Sequence, residues 1–308
     1  MKFTHLHVHS HYSILDGMSK VPDLVDKAMR DGMYSLALTD HGNMYGIKDF
    51  MDYVGKINGK TKGKIKEQEG ILKKEDATDE EKANASKEIE RLKQTIFKPI
   101  IGIEAYCARR TLYDQDKDVK EFSVERGKER ILDRSGWHLI LLAKNFQGYR
   151  NLCKLSSIGF TDGFYDSPRI DKNVLKQYHE GLVVSSACLG GEVPQHIIEG
   201  KIDEAEKTIL WFKELFGDDY YIELQRHKTD KPNAATDTYL KQEKVNKVLL
   251  ELAKKTNTKV IATNDVHFVE EEHGEAHDRL ICLSTGSDFD SPNRMHYTKQ
   301  EWLKSPEE

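Results

Sequence analysis

GLVVSSACLGGEVPQHIIEGKIDEAEKTILWFKELFGDDYYIELQRH, residues 181–227, reads as strand, helix, strand. The strands are the short apolar runs GLVVSSACLGG (181–191) and YYIELQRH (220–227), and the amphipathic KIDEAEKTILWFKELFG (201–217) lies between them. A connection of that length returns the chain to the end of the sheet where it began, so two such strands run parallel. The same unit repeats outward. Toward the C-terminus a helix over 238–257 leads to the strand KVIATNDVHF (259–268). Toward the N-terminus stand WHLILLAKN (137–145), with a helix from about Phe146 to Ser157 after it, and KPIIGIEAYCARR (98–110). Before these come YSLALTDHG (34–42), the helix KVPDLVDKAMRDG (20–32) closed by Gly32, and the opening strand KFTHLHVHS (2–10). Strands alternating with helices give an α/β fold with parallel strands, and seven or so of them in one chain fit a closed or nearly closed barrel.

The totals agree with a large single core. The chain has 308 residues, 38% hydrophobic and 32% charged, enough for a single large α/β barrel or two smaller domains. It has no apolar run of bilayer length, and MKFTHLHVHS lacks the apolar centre of a signal peptide. Cys107, Cys153, Cys188 and Cys282 are widely spaced and form no C-x-x-C pair, which fits a reducing compartment. The expectation is a cytoplasmic protein with no membrane partner. Net charge is −5 and the pI is near 6.2, so nucleic acid would have to be met through local charge, which bound metals can supply. Residues 55–97 interrupt the pattern with dense Lys and Glu. Sparse apolar positions there (Ile65, Leu72, Ile89, Leu92, Ile96) and the helix-start signal DATDEE predict a solvated helical hairpin.

Residues that bind metals recur near the strand ends. FTHLHVHSHYSILDG (3–17) places His5, His7, His9 and His11 at a period of two, on one face of a strand, with Asp16 just beyond. Asp40-His41 ends the second strand, Glu104 lies in GIEAY and Cys188 in SSACLGG, and Asp265-x-His267 ends the last. His138 fits this rule least, because it stands near its strand's start. Each residue alone has a plain alternative, such as a capped turn, an ion pair with Arg109 or Arg110, or a buried thiol. Together, on the carboxyl rim of a barrel, they make a mixed imidazole–carboxylate–thiolate set of the kind that binds zinc or manganese. His273 and His277 in HGEAH have i, i+4 spacing but lack the H-E-x-x-H order, and they read as a surface helix. Arg169 in SPRID, with Arg226 and His227 in LQRHK, are candidates for contacts to phosphate or to a DNA backbone.

The set H-x-H-S, T-D-H-G, G-I-E-A-Y, S-x-C-L-G and N-D-x-H resembles the polymerase and histidinol phosphatase (PHP) family. Within it, YSILDG, HGNMYG, KPIIGIEAY, LLAKNFQGYRNL, GFYDSPRID, CLGGEVPQ, VIATNDVHF and TGSDFDSPNRMHY are similar to the amino-terminal domains of bacterial replicative DNA polymerase III alpha subunits. The resemblance implies a distorted (β/α)7 TIM-like barrel, the PHP fold, over 1–290, with the charged helical insertion at 55–97 and a linker toward an absent polymerase palm from 291 to 308. It implies up to three divalent metals, zinc first and manganese, magnesium or iron as alternatives. His7, His9, Glu104 and Asp265 would hold one metal. Glu104 would bridge to a second, held with His138 and Cys188, and Asp16, His41 and His267 would hold a third. Asp40 would orient a ligand from outside this set, and His5, often aspartate in phosphatase members, is either a ligand or such a support. The activity implied is a metal-dependent 3′–5′ exonuclease of proofreading type within a DNA-directed DNA polymerase. The partners implied are DNA, the remaining polymerase domains, and the proofreading and clamp subunits. A histidinol-phosphatase-type phosphomonoesterase, or a metal-stabilised scaffold that docks a separate proofreading subunit, are the alternatives.

Overall fold

Seven strands of one sheet curl far enough to leave a single gap, and the first residues of the chain close it. The computed structural model describes residues 3–124, 127–134 and 136–308. In chain order the elements are α1 (Val21–Arg30), β1 (Ser35–Leu38), α2 (Ile47–Leu72), α3 (Asp79–Gln94), β2 (Lys98–Ala108), β3 (Lys120–Ser123), β4 (Lys128–Ile131), β5 (Gly136–Ala143) and α4 (Phe146–Thr161). They continue with β6 (Arg169–Ile170), α5 (Lys172–Gln177), β7 (Leu182–Ser185), α6 (Glu192–Ile198), α7 (Ile202–Phe216), β8 (Tyr220–Leu224), α8 (Asp237–Thr256), β9 (Lys259–Ala262) and α9 (Gly274–Thr285).

The strand order is β1-β2-β5-β7-β8-β9, with β6 on β2 and β3–β4 as a separate hairpin. The expected opening strand is not a regular one. Lys2, where it was read to begin, lies outside the described residues, and residues 5–9 make two backbone bonds on each side and no continuous ladder. On one side Ala37 N donates to His5 O (2.9 Å) and Thr39 N to Val8 O (2.8 Å). On the other, His9 N donates to Val266 O (2.7 Å) and Val266 N to His7 O (3.1 Å). This segment joins β1 to the chain just past β9, and the distorted TIM-like barrel is closed.

The all-parallel expectation fails at one strand. β5 pairs antiparallel with both β2 and β7, while β1–β2, β7–β8 and β8–β9 are parallel. The chain between β2 and β5 contains the β3–β4 hairpin instead of a crossover helix, so β5 returns in the opposite direction. The start of β5 therefore lies beside the end of β2. That places His138 at the carboxyl rim of the other strands, opposite Tyr106 in the register.

The helices follow their apolar faces. Val21, Leu24, Val25 and Ala28 of α1 are buried at helical spacing, and α7 buries Ala205, Thr208, Ile209, Phe212 and Phe216. Helix α2 begins at Ile47, and Ile47, Phe50 and Val54 pack in the same core cluster as α1. The charged composition that starts at residue 55 is therefore the middle of a helix that leaves the barrel without a break. Beyond it Ile65, Ile89 and Leu92 are buried together, with Leu72 and Ile96 against them, and α3 opens with a capping box between Thr78 and Glu81. Residues 297–304, read above as the start of a linker, are docked on the barrel: Leu303 is buried, His267 N donates to Glu301 O, and Leu303 N donates to Phe268 O. Among the described residues, no helix is long and apolar enough to cross a membrane.

Candidate metal centre

His7 and His9 reach the site from the closing segment. Glu223 on β8, buried and also bonded to Thr263 and Gln225, accepts from His7 Nδ1 at 2.7 Å. Ser13 Oγ donates to Asp40 Oδ1 (2.8 Å), so it meets His9 Nδ1 (3.1 Å) as an acceptor. Each carboxylate thus fixes, directly or through a hydroxyl, the proton on Nδ1 and turns Nε2 inward. There His7 Nε2 and His9 Nε2 lie 3.1 Å apart, and both face Asp265 Oδ1, at 3.0 and 3.2 Å. That oxygen is buried and accepts no aligned hydrogen bond. Ligands about 2 Å from a tetrahedral zinc stand roughly 3.3 Å apart, so the three atoms are spaced as one coordination sphere would space them.

Glu104, fully buried in β2, is the hub of the next group. Its Oε1 meets His138 Nδ1 at 2.8 Å and lies 3.9 Å from Cys188 Sγ, while Oε2 bonds His41 Nδ1. Cys188 Sγ is itself 3.5 Å from His138 Nδ1. The other His41 nitrogen, Nε2, bonds Asp16 Oδ2 at 2.6 Å, and the same oxygen is 3.4 Å from His267 Nε2. His267 Nδ1 donates to the Asp265 carbonyl at 2.7 Å, which leaves its Nε2 for the site. Among the described residues, three sets of ligand atoms are close enough to share an ion: His7–His9–Asp265, His41–Glu104–His138 and His9–His41–His267. The first coincides with the core of one expected set. The others cut across the expected partition, because His41 lies between Glu104 and Asp16.

The electrostatics are those of a cation site. Asp16, Glu104, Glu223 and Asp265 converge here, and among the described residues no lysine or arginine is ion-paired with any of them. Buried carboxylates without counter-charges are costly, so protons on imidazoles take that place. Burial disfavours a charged His41 and His7, yet Glu104 and Asp16 around the first and Asp265 and Glu223 around the second outweigh it and raise both well above the usual histidine value. Burial likewise opposes charge on His267, but Asp16 and Asp265 raise it to about 9. Burial, with His41 and His267 adding to it, lowers His9 to about 3 and keeps it neutral. Burial and the Asp265 and Glu104 carboxylates push the Cys188 thiol well up, so a thiolate there requires an added positive charge. The donor set and its geometry fit divalent metal binding.

The backbone of the site loops is strained in a consistent way. Leu15, Ala187 and Asp265 have φ of 61°, 58° and 49°, each at or next to a candidate ligand. Gly17 is required where it stands, since a Cβ there would lie 2.2 Å from Ser10 O. A cleft of about 210 Å³ opens over the cluster, with His41, His138, Cys188, Asp265, His267 and Tyr297 in its wall.

Several sequence expectations need correction. His5 does not join His7 and His9: its Nε2 meets Lys304 O at 2.8 Å, and burial lowers it to about 4. His11 meets Ser19 O instead. The irregular closing segment breaks the two-residue periodicity that put the four histidines on one face. Arg169 is fully buried and donates to the carbonyls of Gly163, Asp133 and Leu112, so it cannot reach a phosphate. His227 is buried, its Nδ1 accepting from Gln242 and its Nε2 donating to Asn264 O. Arg226, stacked on Tyr239, is the one of the three that stays exposed. His277 is not a surface residue. It is fully buried, donates to Asp16 O at 2.9 Å and packs on His267.

Glu223, Ser13 and Tyr297 were not singled out in the sequence. Glu223 carried the same signal as Glu104, an acid inside an apolar strand. Tyr297, whose hydroxyl donates to Asp16 (2.9 Å to Oδ1) and lies 3.5 Å from His267 Nε2, has no local signal.

Comparison with known proteins places this geometry in context. The PHP domain family model matches residues 5–227, which stops short of Asp265 and His267. The DNA polymerase III alpha subunit of Borreliella burgdorferi is 37% identical over 308 residues, all of this chain and 22% of that one. Those of Treponema pallidum (37% over 309 residues) and Deinococcus radiodurans (35% over 314) are matched over all of this chain and over 21% and 19% of their own. The chain thus spans about a fifth of the length of these relatives. A solved Bifidobacterium adolescentis structure, assigned as a metal-dependent phosphoesterase, covers 86% of this chain and 88% of its own at 12% identity. Its TM-score is 0.30.

Proposed function

The chain belongs to the PHP domain family, and on that premise we propose that it is the phosphoesterase domain of a bacterial replicative DNA polymerase alpha subunit, cleaving phosphodiester bonds from the 3′ end of a DNA strand. One observation supports this reading most: the inward Nε2 atoms of His7 and His9 and the unbonded Asp265 Oδ1 converge within 3.2 Å. His7, His9, Asp16, His41, Glu104, His138, Cys188, Asp265 and His267 are the proposed ligands of up to three divalent ions, with zinc first because of the thiol. When bound, such ions lower the pKa of a coordinated water and neutralise phosphoryl charge.

The chain's own residues prepare the site. Glu223 and the Asp40–Ser13 pair hold His7 and His9 in the tautomer that presents Nε2. Glu104 joins the two halves of the cluster through its two oxygens. Tyr297 holds Asp16 from the outer wall and narrows the opening. In the whole protein this activity would accompany DNA-directed DNA synthesis by the other polymerase domains, beside proofreading and clamp subunits.

The deciding experiment is metal analysis of the purified chain coupled to digestion of 3′-labelled single-stranded DNA, with His9→Ala and Asp265→Ala alongside. The proposal expects bound metal and 3′-terminal nucleotide release, both lost in the variants. Release of inorganic phosphate from small monoesters with DNA untouched would make it a phosphomonoesterase. Bound metal with neither substrate cleaved would leave a scaffold.

A further inference from the structure

Three aromatic side chains stand exposed in a row beside the metal rim. Tyr45, Phe160 and Phe164 are 53%, 36% and 51% exposed. Their ring centroids are 5.7 Å (Tyr45–Phe160) and 6.2 Å (Phe160–Phe164) apart, with interplanar angles of 33° and 24°. Burying rings is among the strongest drives of folding, so three contiguous exposed rings need a reason. Its position supplies one. Tyr45 follows His41 by four residues, on a turn where its backbone N–H donates to Asn43 Oδ1. Pro168 lies between Gly42 and Gly159, so close to the first that a Cβ there would be 2.6 Å from the proline ring and 3.1 Å from Tyr106. Phe160 is the next residue of α4 after Gly159. The row therefore begins one packing layer from a proposed metal ligand.

Asp166 and Ser167, two and three residues beyond Phe164, help to line a hollow of about 530 Å³. Arg109, Lys128, Arg130 and Arg134 line it with Glu129 and Asp166; Arg134 is ion-paired with Asp166, and Arg109 and Arg130 with Glu121, while among the described residues no carboxylate is ion-paired with Lys128. A lysine without a carboxylate partner beside exposed rings supplies the two parts of a single-strand binding surface: rings take the bases, and the cation takes the backbone.

We infer that Tyr45, Phe160 and Phe164 form a stacking platform for the bases of a single DNA strand whose end enters the metal cleft, with Lys128 in the neighbouring hollow holding a phosphate. This rests on the phosphodiester reading above and names where that substrate lies. Because every base has a ring face, the platform is indifferent to sequence.

The test measures binding and chemistry separately in the 308-residue chain. Binding is read by anisotropy of a fluorescein-labelled oligothymidylate whose phosphorothioate 3′ end resists cleavage. The metal site is read by hydrolysis of bis(p-nitrophenyl) phosphate, which is too small to reach the rings. Replacing all three rings by alanine is expected to weaken oligonucleotide binding about tenfold for each ring, with ester hydrolysis unchanged. A Phe160→Trp/Phe164→Trp variant is expected to keep binding and to show tryptophan quenching on addition of DNA. That variant also decides the matter if the triple alanine variant fails to fold. Unchanged oligonucleotide binding without the rings, or tryptophan emission insensitive to DNA, overturns the platform while leaving the metal reading intact. A concentration-dependent dimer abolished by the triple alanine variant also overturns it, since the rings would then cover a second copy. Absent ester hydrolysis with ring-dependent DNA binding removes the metal reading and keeps the platform.

Discussion

The barrel rim and the α2–α3 hairpin are both crowded with ionisable side chains, yet they use them oppositely. On the hairpin, Arg91 pairs with Glu88 and Lys93 with Glu90 one turn away, all well exposed to water. Such pairs contribute little, because water already solvates each charge and ordering two long side chains costs entropy. At the rim, Glu104, Glu223, His7 and His9 are 2% exposed or less, and each is held by partners distant in sequence. There a missing partner leaves a buried charge or donor unpaired, so each contact matters. The same residue types are thus cheap to change in one region and costly in the other, and burial makes the difference.

That contrast can be broken by experiment. Its largest expected effect is at the hub: Glu104→Ala should abolish phosphoesterase activity and metal retention together, checked by elemental analysis and turnover of the small diester. If the variant keeps its metal, the hub role is wrong. Chelation comes next. Stripping metal from the native chain should lower its melting midpoint, since a ligand bound only by the folded state stabilises it, while the Glu104→Ala variant should melt at the same temperature with or without chelator. A third expectation concerns a residue that touches no proposed metal: Glu223→Gln should weaken metal binding about 10–100-fold by releasing the His7 ring, measured by competition with a chromogenic chelator. Tyr297→Phe, which removes one hydroxyl from the cleft wall, should slow turnover less than Glu223→Gln weakens binding. At the other end of the scale, Glu88→Ala on the hairpin should leave melting, metal content and turnover unchanged. A large effect there would show that the hairpin has a partner the barrel depends on.

The alternation of strands and helices was readable because each element advertises itself locally, by periodicity and punctuation. Thr78–Glu81 capped α3 as its sequence suggested, for the same reason. What local pattern does not contain is direction. The reversed β5 depends on whether the chain between β2 and β5 crosses over or folds back, and the hairpin there settles it. His138, the residue that fitted the rim rule least, reaches the rim only because of that reversal. Arg169 misled in the opposite sense: an arginine beside a proline in a loop reads as available, while its guanidinium is fully committed to three carbonyls. His277 was set aside for lacking a motif, yet it supports Asp16 from below.

The sequence alone determined an α/β chain, a charged helical excursion, and a set of imidazoles, carboxylates and one thiol gathered near strand ends. Those follow from side-chain chemistry and short-range periodicity, which any window of the chain carries. Only the tertiary structure decided that residues 5–9 close the barrel, that β5 runs backwards, and that Glu223, Ser13 and Tyr297 hold the cluster in place. These depend on contacts between residues up to about 280 positions apart, such as Tyr297 with Asp16, and a hydrogen bond across that span leaves no trace in the neighbours of either partner.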